Sequence, residues 1–205
     1  MSAFKRCMSA VIHPARVFSD MWEHKDYSYK SSFVILAVLF ITKIIERQLT
    51  GFTFNYNEPD KLNVLIIFAA VFGGFALWVV MNWMLSTLFD GKAHVRDIWL
   101  FSSWCLVPYI ICTLLGVLLS NVLVVDEGVF IGWVQTVGIV WSVAMLFIAL
   151  IIIHDYTFFK VLWSTLATLV GIGIVLFLAV LCFSLFQQIA GFISDIASEI
   201  GYRLL

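Results

Sequence analysis

From Ser31 onward the chain alternates long apolar runs with short polar joints. Five runs stand out: about 31–49, 62–89, 98–125, 129–153 and 161–186. A membrane-crossing helix needs roughly 20 residues at about 1.5 Å each. The second and third runs, near 28 residues by about eight more than that minimum, are expected to tilt, kink or overshoot the hydrocarbon. None shows the in–out alternation of a lipid-facing barrel strand. Backbone groups in lipid must pair within their own segment, so the runs are read as helices.

Both flanks carry helical-period apolar stripes. Near the start, Phe4, Met8, Val11 and Ile12 share a face. Pro14 suits the first turn of a following helix, on which Val17, Phe18, Met21 and Trp22 share a face. At the other end Ile189, Phe192, Ile193, Ile196 and Ile200 oppose Ser194, Asp195, Ser198 and Glu199. Residues 1–30 read as a cytoplasmic amphipathic segment lying on the membrane surface, and 187–205 as an external one. The alternative is that each packs on the bundle. The whole predicts an all-α integral membrane protein with five transmembrane helices and amphipathic helices at both ends.

Composition supports this. Hydrophobic residues make up 62% and charged ones 12% of 205 residues, and mean hydropathy is +1.03. So few charges could not cover a water-soluble fold of this size. The net charge of −1 offers no basic surface for nucleic acid. Lys5, Arg6, Arg16, Lys25, Lys30, Lys92, Arg96 and Lys160 fall on one side of a five-span topology, and Lys43, Arg47, Lys61 and Arg203 on the other. Positive residues favour the cytoplasm, which puts the N-terminus inside and the C-terminus outside. The basic opening segment lacks an apolar core of signal-peptide length, so the first run is expected to be a retained span.

Chemistry is sparse. The last four runs contain no Asp, Glu, Lys, Arg or His, whereas coupled transporters place ionisable groups within the membrane. Uncharged polar residues there, among them Asn82, Ser86, Ser102, Asn121, Gln135 and Ser142, read first as interhelical hydrogen-bonding groups and second as a polar path. Lys43, Glu46 and Arg47 share a face near the end of the first run. They either snorkel to the outer headgroups or form an intramembrane ion pair. His94 and Asp97 share a face, but His13, His24, His94 and His154 show no helical metal-ligand spacing. Cys7, Cys105, Cys112 and Cys182 show no CxxC pair and read as small hydrophobes. No enzyme, metal or cofactor is expected. Glycines at Gly73–Gly74, Gly116, Gly128, Gly132, Gly138, Gly171 and Gly173 mark candidate close contacts between helices.

Pro108 lies inside the third run and should kink it. Upstream, Gly91 fits a tight turn after Asp90. A proline-opened first helix (Pro14, Val17, Phe18), a long span ending in a glycine loop (Leu85 to Gly91), and a third span bearing Leu106 and Pro108 follow in order. That layout resembles the Yip (Ypt-interacting protein) domain family over about residues 10–185. Trp104 stands where the family's Y-x-L-x-P-like element often has tyrosine. The runs around Arg47–Asn55, Asn82–Gly91 and Ser120–Gly128 are similar to compact bacterial members. The resemblance implies a bacterial plasma-membrane protein that accompanies ABC transporters as an accessory subunit. Interaction candidates are then Pro14, Val17, Phe18, Trp22, Gly91, Trp104, Leu106 and Pro108. Eukaryotic members carry a DLYGP-type element and engage Rab-type GTPases; that element is missing here, so a GTPase partner is not expected. The alternatives to an adaptor are a membrane-shaping protein that uses the terminal helices as wedges, and a channel or transporter.

Overall fold

The computed structural model describes residues 3–25, 29–55 and 62–204, the side chains of 3–7, 195–198 and 200–204 excepted. Phe4, Asp195, Ile196, Ser198, Ile200 and the charges Lys5, Arg6, Lys61 and Arg203 therefore lie outside the described side chains. The described residues form an all-helical bundle: α1 (Ala3–Ile12), α2 (Pro14–His24), α3 (Tyr29–Leu49), α4 (Val64–Phe68), α5 (Gly74–Leu88), α6 (Val95–Trp104), α7 (Val107–Ser120), α8 (Val129–His154) and α9 (Phe158–Leu204). A π-helical turn, Ala69–Gly73, joins α4 to α5, and a 3₁₀ turn, Val125–Glu127, precedes α8.

Among the described residues four stretches are long and apolar enough to cross a membrane: Val64–Leu88, Val95–Ser120, Val125–His154 and Phe158–Ser194. The fifth expected crossing, α3, has 21 residues and carries Lys43, Glu46 and Arg47 in its last turns. It lies parallel to α6–α7. The Phe33 ring meets Trp99 at one end, Lys43 meets Tyr109 midway, and the Gly51 N–H donates to Ser120 Oγ at the other, 2.9 Å. The end holding Gly91, His154 and the start of α9 is called proximal here, and the end holding Gly51, Ser120 and Val129 distal.

The expected third span is two helices. The predicted kink at Pro108 is a break at Cys105–Leu106, after which Pro108 sits in the first turn of α7. Proline is suited to that position, since the first turn has no intrahelical partner for its N–H groups. The orphaned Tyr109 N–H is taken by the Ser142 hydroxyl of α8, 3.1 Å. One interhelical bond thus satisfies a donor that lipid could not. The helix also stops at Ser120, short of the expected Val125.

Of the two readings of the N-terminal helices, packing on the bundle is the one that α2 takes. Phe18 and Met21 are buried, because the apolar face of α2 lies against Phe101 and α8. The Phe18 and Phe101 rings meet edge to face at 5.6 Å, and Trp22 and Phe101 at 6.1 Å. Farther along, the Val11 carbonyl accepts a hydrogen bond from Trp141 Nε1, 3.1 Å. Trp141 is about 20 Å from His154 along α8 by helical rise. The pair α1–α2 therefore runs lengthwise against α8, where an aromatic core offers more cover than a headgroup layer. At the other terminus no separate helix begins at 187: α9 is continuous through Leu204.

The glycines divide by use. A Cβ at Gly138 would meet Cys112 Cβ at 2.5 Å, and one at Gly171 would meet Met81 Cε at 2.6 Å. Gly73, Gly74, Gly132 and Gly173 face open space, so these four do not mark close helix contacts.

Candidate functional site

The residues singled out in the sequence gather at two places, and a third feature was not anticipated. The proximal knot comes first. Asp90, not Gly91, takes the left-handed turn conformation, φ 55°. Gly91 is needed for space: a Cβ there would lie 2.5 Å from His154 Nδ1 and 2.7 Å from Tyr156 Oη. Its N–H and the Tyr156 hydroxyl both donate to the Ser86 carbonyl, at 2.8 Å and 3.2 Å. The His154 ring stacks on Tyr156 with centroids 5.0 Å apart. Burial, and then the Asp90 charge, push the Tyr156 phenol up to about 12. On the outside Lys92 Nζ donates to Asp155 at 2.7 Å, which holds that exposed carboxyl below its ordinary range.

Of the motif residues, Phe18, Trp104 and Pro108 are buried, and Val17, Trp22, Gly91 and Leu106 are half-buried. As placed, Phe18 is sealed against Phe101 and is not available to an outside partner. Phe18 and Trp22 pack on Phe101 of α6, Gly91 lies against His154, Tyr156 and Ser86, and Leu106 and Pro108 sit at the α6–α7 break. His94 and Asp97 form a helix start: the Asp97 carboxylate accepts from the His94 backbone N–H, 3.0 Å. Among the described residues no three His, Cys, Asp or Glu side chains are grouped as metal ligands would be. Cys105 is buried, and its thiol donates to the Phe101 carbonyl.

The α3 charges form the second place. Lys43 does not snorkel outward. Its Nζ donates to Glu46 Oε2 at 2.6 Å and to Tyr109 Oη at 2.5 Å, and it lies 4.8 Å from the Tyr109 ring centroid. Its ammonium stays within the bundle, where a carboxylate and a phenol replace water. Arg47 is not part of that pair: its Nε is fully buried with no hydrogen-bond partner.

The third feature is α9. Its first turns pack on α5 through Val161, Ser164 and Gly171. Beyond Gly173 every large apolar side chain to Ile193 is exposed, Phe177, Phe183, Phe186 and Phe192 among them. The sequence showed this run as a span, but the length of helix left without cover depends on where the bundle ends.

No curated protein and no solved structure matches the chain. The Yip1 domain model matches residues 8–181, from α1 into α9. The match includes Pro14, the Gly91 loop and the Leu106–Pro108 break that carried the resemblance. This chain belongs to the Yip1 domain family.

Proposed function

We propose that this membrane protein is a non-catalytic accessory subunit that docks against another integral membrane protein through α9. The family resemblance implies the permease of an ABC transporter as that partner. The carrying observation is a mismatch of length. The apolar stretch Phe158–Ser194 has 37 residues and is about 55 Å long at the α-helical rise. A bilayer core is about 30 Å thick. At the steepest common tilt of about 40°, it covers only about 40 Å of helix. Some apolar length must find cover elsewhere, and the described bundle supplies none past Gly173. Helix association in lipid proceeds by packing of such side chains against a partner's helix. In this reading the N-terminus is cytoplasmic and the C-terminus external, in a bacterial plasma membrane, and reporters fused to each end test that sidedness.

The docking is tested by a photo-crosslinker at Phe186 in native membranes. An adduct with the membrane subunit of a transporter, lost on moving the probe to buried Leu150, is the expected result. Lipid adducts alone, or a chain purifying by itself from native levels in several detergents, would overturn the reading.

A further inference from the structure

Two cavities on the α3 side of the bundle meet at the π-helical turn. The distal one, about 560 Å³, is lined by Lys43, Glu46, Arg47 and Gln135 together with the wall of α4. The other, about 340 Å³, is lined almost wholly by apolar side chains such as Leu39, Phe75, Leu106 and Leu146. Ala70 and Val71 line both, so the two adjoin along one wall and together offer a groove with two arms. Each volume falls within the range of about 300–1,000 Å³ found for ligand sites. The shared wall is the π turn itself, a distortion that recurs at functional positions.

The arms differ in depth and chemistry. Arg47 is about 3 Å from the distal end of α3, and Gln135 about 9 Å from the distal end of α8, by helical rise. The apolar arm reaches Ser142 and Leu146, about 20–26 Å from that same end. The groove thus descends from headgroup depth to mid-hydrocarbon, polar first and apolar after. In its polar arm Glu46 is engaged by Lys43, while the Arg47 Nε is buried without an acceptor. Among the described lining residues two cations stand against one carboxylate. A guanidinium fork in that state matches a phosphate.

We propose that this groove holds one anionic phospholipid of the distal leaflet, with its phosphate on Arg47 and an acyl chain along the Ala70–Val71 wall into the apolar arm. Gln135 supplies a further donor to the head. The inference is independent of the docking of α9, because none of these residues lies on α9.

The test uses the purified, delipidated full chain offered equal phosphatidylglycerol and phosphatidylcholine of matched chains, read by native mass spectrometry. One phosphatidylglycerol should be retained about tenfold over phosphatidylcholine, which carries the same phosphate but adds a choline cation that Lys43 and Arg47 repel. Arg47→Gln should bring that preference to within about twofold. Val71→Trp keeps both cations but fills the groove. It should lower phosphatidylglycerol retention at least about fivefold with an unchanged melting temperature. Gln135→Leu, away from the α3 pair, gives a second reading of the head site, with weakened retention, where Arg47→Gln does not fold. Equal retention of the two lipids by the wild type, or full retention by Arg47→Gln or Val71→Trp, would overturn the proposal. So would displacement of the lipid by an equal concentration of glycerol phosphate, which would mark a site for a soluble phosphate instead.

Discussion

The Gly91 backbone lies directly against the His154 ring: a Cβ on residue 91 would meet Nδ1 at 2.5 Å. The neighbours cannot give easily. His154 is 2% exposed, its ring is stacked on Tyr156, and the next contact is Ser86 Cβ on α5. Gly91→Ala should therefore cost about 1–3 kcal/mol by overpacking. Asp90→Gly should change stability by no more than about 1 kcal/mol, because residue 90 already holds a glycine-like φ. Thermal unfolding in one detergent separates the two. Equal effects would mean that the turn, not the ring contact, sets the requirement for glycine.

Phe18 offers a sharper test of how α2 is held. It has no exposed surface and meets Phe101 edge to face. Phe18→Ala should cost about 3–5 kcal/mol, the range for an aromatic core truncation, and should open the α2 region to protease. Met8, 44% exposed on α1, should tolerate alanine within about 0.5 kcal/mol. A helix lying on the membrane by that face would give the two substitutions similar, small effects on stability and a shared effect on lipid binding.

These contacts show where sequence reading reached and where it stopped. The limits of α8 were legible because one uninterrupted apolar run ends in the polar stretch His154–Asp155. The break before α7 was legible at Pro108 as a kink. Its completeness was not, because the Ser142 hydroxyl that receives the freed Tyr109 N–H lies 33 residues away. Nothing in the run Phe68-Ala69-Ala70-Val71-Phe72-Gly73 distinguishes a π turn from an α turn, since every residue in it is apolar or glycine and none is buried. The amphipathic face of α2 was readable from its period, but not whether lipid or Phe101 covers it. For Lys43 the sequence leaves the headgroups and an ion pair both open, because Tyr109, the partner that holds it in the bundle, is 66 residues distant. For Gly91 the residue type was legible and the reason was not: proximity to His154 exists only once α8 has folded back.

Tyr156 gives a pH signature. Its phenol is raised from an ordinary 10 to about 12 by burial, then by the Asp90 charge. A raised folded value means the contribution is fully present below the unfolded value, and it is lost as pH rises through the folded one. Stability should thus be unaffected by this group up to about pH 10 and fall between pH 10 and 12. In a spectroscopic titration Tyr156 should ionise late, and Tyr156→Phe should remove that late phase. A titration identical in wild type and variant would contradict the burial of this hydroxyl beside the Ser86 carbonyl.

Lys43 tests the polar pair inside the bundle. Its ammonium holds Glu46 at 2.6 Å, with side-chain exposures of 29% and 28%. Lys43→Met leaves a carboxylate facing a phenol in a half-buried setting, without its counter-charge. The loss should be about 1–3 kcal/mol, between the values for exposed and fully buried pairs. Glu46→Gln added to Lys43→Met removes the stranded charge and should recover most of that loss, as replacement of both partners of an ion pair commonly does. The cycle is read from unfolding midpoints of the four proteins in one detergent. A strictly additive result would show that the two side chains do not act as a pair. A destabilisation by Lys43→Met equal to that of Tyr109→Phe, with Glu46→Gln silent, would instead assign the role of Lys43 to its contact with α7.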